Sequence, residues 1–150
     1  MNLKFKVQSS KFKVILLFAV CIYFTACSIP NLQPQECNEA RQTVRELYSY
    51  HFGSDMKFTP ETLKQREKYL TPELFNNLNS APQNVDPFTL TNDYPKAFRA
   101  GGCTVVEPGN KVSFEILLFW KSENRSEQRE VNAEVVKQGD NWLVNKISNN

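Results

Sequence analysis

Few side chains of this 150-residue chain could do chemistry: one histidine, His51, two aspartates in a proline-rich stretch, Asp86 and Asp93, and the hydroxyls of Tyr48 and Tyr94. A carboxylate beside a tyrosine is a minimal set for moving a proton, provided an apolar pocket raises the carboxyl's pKa and a donor is poised to stabilise an oxyanion. Asp93 with Tyr94 or Tyr48 is the nearest such set, and nothing in the spacing demands it. The bland readings are as concrete. Asp86 stands beside Pro87 and Asp93 shortly before Pro95, positions where aspartate serves turn geometry. His51 lies beside an apolar helical stripe, where a histidine is more often a satisfied core residue than a catalyst.

Other chemistry lacks its residues. There is no glycine-rich phosphate loop, no paired-cysteine motif and no second histidine. Zinc needs four clustered ligands, or three and a water, so two cysteines and one distant His51 make a poor set. No metal and no cofactor is expected. The formal charge is +2, but Lys4, Lys6, Lys11 and Lys13 precede the first acid, which leaves the rest at −2. A mildly acidic domain with scattered charges has no electrostatic footprint for nucleic acid.

Those four lysines are followed by an apolar run from Val14 to Ala26, 13 residues long. At 1.5 Å per residue such a run spans roughly 20 Å, short of the ~30 Å hydrocarbon core, so an export leader is the better reading than a permanent span. Phe24-Thr25-Ala26-Cys27 resembles the lipobox of bacterial lipoproteins, in which a small residue precedes a cysteine that is lipidated and becomes the new N-terminus. Phe24 departs from that pattern, which usually has an aliphatic residue there. Cleavage after Ser28, which would give a secreted protein, is the competitor. Residues 1–26 are read as the leader, Cys27 as the palmitate-type lipid site and 27–35, with Pro30 and Pro34 and no charge, as a flexible tether. The expected location is the bacterial cell envelope, with the membrane as a partner through the anchor. Ser28 removes the aspartate that often retains such proteins in an inner membrane, so an outer membrane is favoured where there are two.

Cys21 would leave with the leader, and Cys37 and Cys103 remain. In an oxidising compartment they could pair; two separate buried thiols are the alternative.

From Glu36 to about Phe52, Ala40, Val44, Leu47, Tyr48 and Phe52 recur at spacings of three and four, which predicts a helix ended by Gly53. Thr59-Pro60-Glu61 and Thr71-Pro72-Glu73 each put a threonine cap, a proline and an acid at a helix start. They predict helices over about 60–69 and 72–79 that bury Leu63, Tyr69, Leu70, Leu74, Phe75 and Leu78. Residues 80–96 read as a long ordered loop. The period then becomes two: Val112, Phe114, Ile116, Leu118 and Trp120 alternate with polar neighbours. A weaker strand is expected over about Ala97–Glu107, with a bulge at Gly101-Gly102, and further strands over Arg129–Val135, after a turn at Ser122–Ser126, and over Trp142–Ile147. Helices first and strands second predict one α+β domain over 36–150, its helices packed on a curved four-stranded antiparallel sheet. Leu117 and Phe119, on the opposite face of the longest strand, could make a homodimer patch or meet the 80–96 loop.

The runs Tyr69-Leu70-Thr71-Pro72-Glu73-Leu74, Asp86-Pro87-Phe88-Thr89 and Asp93-Tyr94-Pro95 resemble a family of uncharacterised bacterial secreted and lipid-anchored proteins. Its domain is similar to the nuclear transport factor 2-like (cystatin-like) cone. The ending Gly139-Asp140-Asn141-Trp142-Leu143-Val144 looks like the last hairpin of that superfamily. The resemblance implies a possible pocket at the mouth between helices and sheet, lined by Tyr48, His51, Asp86, Asp93, Tyr94 and Trp120. The family brings no catalytic set, and fold alone does not imply function. The expected role is therefore a non-catalytic envelope lipoprotein binding a small ligand or an envelope protein. The alternatives are a pocket enzyme of isomerase or dehydratase type using a carboxylate-tyrosine pair, and an interaction subunit or inhibitor.

Overall fold

The helical stripe becomes α1, Gln35–Gly53, which buries Cys37, Ala40, Val44, Leu47, Tyr48 and His51. The computed structural model describes residues 33–80 and 84–149, so the leader, Cys27 and the tether as far as Leu32 lie outside the described residues. Gln33 to Gln35 belong to the domain rather than to a tether. Gln33 accepts hydrogen bonds from Arg41 and Asn38, and Gln35 opens the helix.

Both threonine caps form. The Thr59 hydroxyl accepts from the Thr62 N–H while Thr62 answers the Thr59 N–H, starting α2, Pro60–Arg66. A short 3-10 turn, Glu67–Tyr69, follows, and Thr71 then caps the Leu74 N–H at the start of α3, Pro72–Ser80. Thr71 is fully buried, and its own N–H donates to the Val144 carbonyl. That bond docks the start of α3 on the last strand. Leu63, Tyr69 and Leu70 are buried as expected, but Leu74, Phe75 and Leu78 are only half-buried, because α3 lies at the margin and buries no residue fully.

The strands are β1 (Ala97–Glu107), β2 (Lys111–Ser122), β3 (Arg125–Gln138) and β4 (Asn141–Asn149). They form an antiparallel meander in the order β1-β2-β3-β4. The helices pack on one face, so the domain is α+β with helices on a four-stranded antiparallel open sheet. Val112, Phe114, Ile116 and Leu118 lie fully buried between the layers, each worth about 1.5–3 kcal/mol by removal from water. β2 and β3 pair without a break from Lys111↔Val136 to Ser122↔Arg125, so the turn between them is tighter than the Ser122–Ser126 expected. Both partners are long regular strands, and the ladder runs to its end.

The pairing of β1 with β2 slips between Ala100 and Cys103, the bulge that Gly101-Gly102 foreshadows. A Cβ on Gly102 would come 2.7 Å from the Glu115 carboxylate, whose oxygen accepts the Gly102 N–H. On the other side the Arg41 guanidinium donates to the Ala100 and Gly101 carbonyls. Beside this bulge Cys37 and Cys103 form a disulfide, their Cα atoms 5.9 Å apart. Of the two alternatives for these cysteines, the bridge is the one adopted.

Leu117 does not stand open on the outer face. It is 7% exposed and Phe119 is half-buried. The cross-strand neighbours of Leu117 are Arg99 and Glu130, long side chains whose stems shield apolar surface.

Candidate functional site

The six expected site residues fall into two groups with different partners. Tyr48, His51 and Asp86 lie in the core; Asp93, Tyr94 and Trp120 lie at the end of the sheet.

The inner group is organised by a residue outside the expected set. Arg66, at the end of α2, is fully buried, as is His51. Its Nη2 sits 2.9 Å from His51 Nδ1, 3.0 Å from Ser54 Oγ and 3.1 Å from the Lys57 carbonyl. A guanidinium only donates, so Nδ1 must accept and the ring proton belongs on Nε2. That proton faces Asp86, whose Oδ2 is 2.9 Å from Nε2, a close polar contact although the angle is poor for a hydrogen bond. Asp86 Oδ1 accepts the N–H of Phe88, the N–H of Thr89 and the Thr89 hydroxyl. Asp86 therefore does turn chemistry with one oxygen and pairs with His51 through the other. The Tyr48 hydroxyl donates to the Phe88 carbonyl. Arg66 Nε and Nη1 have no hydrogen-bond partner among the described residues, and the guanidinium lies over the rings of Tyr50 and Phe88, 5.0 and 5.5 Å from their centroids.

The electrostatics run opposite to what a pocket base requires. Burial pushes the Asp86 carboxyl up, but contact with His51 and the Thr89 donors outweighs it and holds the group below the usual carboxylate value. Burial, with the Asp86 charge, drives the Tyr48 hydroxyl far above its ordinary value. Burial also lowers the Arg66 guanidinium, against the opposing pull of Tyr50 and Asp86. The row Arg66–His51–Asp86 joins α1, α2 and the loop after α3. As geometry it is a clamp.

A pH dependence follows. The folded value of Asp86 is depressed, so its contribution to stability is present above the unfolded value, about 4. It is lost as pH falls through the lower folded value. Urea midpoints measured from neutrality into the acid range should drop below that unfolded value. Asp86→Asn should flatten the drop; an unchanged profile would mean that the carboxyl is not held down.

No family model and no curated protein matches the sequence. Among solved structures, the chain is similar to an Ntf2-like potential transfer protein, TraM, from the Gram-positive conjugative plasmid pIP501. The identity is 18% and the TM-score 0.49, over 75% of this chain and 95% of that one; a score of that size supports no conclusion about this chain. It is also similar to a protein of unknown function from Bacteroides thetaiotaomicron, with 16% identity and a TM-score of 0.51, over 91% of this chain and 98% of that one. At that identity the likeness shows a shared fold alone.

The outer group surrounds a groove of about 300 Å3 whose lining includes Tyr94, Lys96, Trp120, Lys121, Ser122 and Arg125. Trp120 is nearly buried and donates its indole N–H to the Asp93 carbonyl at 2.8 Å. Arg125 pairs with the Asp93 carboxylate at 2.5 Å and with Glu127 at 2.6 Å. Arg125 and Arg129 both lie against the Trp120 ring, 5.3 and 4.9 Å from its centroid. Asp93 is thus tied to Arg125 while the Tyr48 hydroxyl is used inside the core, so these two do not meet as a carboxylate-tyrosine pair. Tyr94 is 54% exposed.

Arg66 and Arg125 are the residues that sequence reasoning missed. Arg66 follows Leu63 by three positions on one helix face, so the buried stripe passes through it. Arg125 fell inside the segment read as a turn.

Proposed function

We propose that the protein is an exported, non-catalytic binding module of the bacterial cell envelope, moored through lipid on Cys27 and using the Asp93–Tyr94–Trp120 groove as its contact surface for a small ligand or an envelope protein. The observation that carries the reading is the Cys37–Cys103 disulfide. Such bonds persist in oxidising compartments and are rare in a reducing cytoplasm, which agrees with the lysine-led apolar leader and the lipobox-like Cys27. A lipid-bearing cysteine carries more than one acyl chain, where a single chain gives only reversible attachment. The clamp of Arg66, His51 and Asp86 fits a rigid scaffold better than a reaction centre, since its carboxyl is shifted down and its groups are occupied by one another.

Metabolic labelling with a palmitate analogue tests the anchor. The wild type should label and pellet with membranes, and Cys27→Ser should do neither. Label retained in the Cys27→Ser protein, or an unprocessed full-length chain in the cytoplasm, would overturn the reading.

A further inference from the structure

We infer that the groove at the end of β2 takes a small acidic saccharide, a carboxylated sugar of one or two rings; this rests on the binding-module reading above. Tyr94 is the one aromatic side chain among the exposed large hydrophobics of the described residues, where it stands with Val85 and Val106. It is not loose. Asp93 before it is fastened twice, by its carbonyl to the Trp120 indole and by its carboxylate to Arg125, and Pro95 after it is buried. The backbone on both sides of the ring is fixed, so binding has only the side chain's two torsions left to order. That is the condition under which tyrosine makes an efficient contact.

The groove's charges point to the ligand's sign. Asp93 is occupied by Arg125, which Glu127 also neutralises from beside the groove. Among the described residues, the other cationic side chains of the lining are those of Lys96 and Lys121. The surroundings are then cationic on a domain whose overall balance is acidic. Asn92 and Ser122 add an amide and a hydroxyl to the lining. An aromatic face, two cations and small polar groups match a ring with an apolar C–H face, a carboxylate and several hydroxyls. A volume of about 300 Å3 suits one or two sugar rings, at the small end of ligand sites.

The test is titration of the full chain in detergent micelles with glucuronate, glucose, acetate and inorganic phosphate. The readout is the indole N–H resonance of Trp120, with that of Trp142, bound to Glu39 on the other side of the domain, as internal control. Glucuronate should shift the Trp120 resonance saturably and leave Trp142 in place. Glucose and acetate, each offering half of the chemistry, should bind at least about tenfold more weakly. Tyr94→Ala should weaken glucuronate binding by about tenfold or more, as loss of an aromatic anchor does, and Lys96→Gln with Lys121→Gln should do the same. Both are surface changes, and an unmoved Trp142 resonance shows that the fold survives. A Trp120 resonance indifferent to glucuronate, an equal response to acetate or phosphate, or full binding by Tyr94→Ala would each overturn the inference. Its failure is separable from that of the anchor: palmitate labelling of Cys27 together with a silent groove sinks only the ligand.

Discussion

Asp86→Ala should cost about 3–5 kcal/mol of folding stability, the size of loss expected when a buried charge is left without its compensating opposite. Two effects add. The three bonds to Oδ1 that shape the loop at Phe88 and Thr89 disappear. The buried Arg66 also loses its nearest negative charge, because its own partners, His51, Ser54 and the Lys57 carbonyl, are all neutral. A second substitution separates the two. Arg66→Met removes the stranded cation and leaves a chain of similar length against the Tyr50 and Phe88 rings. By itself it should destabilise; added to Asp86→Ala it should cost much less, or restore stability. Urea denaturation of the four proteins in a double-mutant cycle reads the coupling. Strict additivity would show that Asp86 matters for the turn alone.

Those residues also mark how far the sequence could be read. The alternation over Val112–Trp120, the threonine-proline helix starts and the glycine bulge are local signals, and each has its structural counterpart. The helices-before-strands order was enough to indicate an α+β architecture. The site was legible only in part. Tyr48, His51 and Asp86 do converge, but Asp86 reaches His51 across 35 positions of chain, and no spacing rule reports a contact of that range. Arg66 was hidden for a different reason. Sequence patterns assign arginine to the surface, and only tertiary packing shows that His51, Ser54 and two aromatic rings replace its water. Asp93 and Trp120 lie side by side, yet the contact joining them is a backbone carbonyl, invisible to any reading of side-chain types. Exposure misled at Leu117, because period two assigns a face and says nothing of what flanks it.

Removing the Cys37–Cys103 bridge should cost about as much as removing Asp86. The crosslink closes a loop with a sequence separation of 66, worth about 4 kcal/mol in chain entropy denied to the unfolded state. A domain of ordinary stability holds about 5–15 kcal/mol in all, so the reduced protein should still fold at ambient temperature and melt far earlier. Native contacts around the bridge argue for survival rather than collapse. Arg41 clamps the same bulge through two carbonyls, and Glu115 holds the Gly102 N–H from the facing strand. The choice of substitution matters. Cys37 is fully buried, so serine would add a hydroxyl without a partner, at about 1–3 kcal/mol; alanine leaves only a small void. Cys37→Ala with Cys103→Ala should therefore match the wild type under reductant in its urea midpoint and be indifferent to reductant itself. A wild-type midpoint that reductant does not move would show that the bond is absent in solution. Because the bridge ties the first turn of α1 to β1, its loss should loosen that end of the sheet first. Amide exchange should rise around Cys103 and the bulge while the Arg66–His51–Asp86 clamp, built on the far end of α1, stays protected.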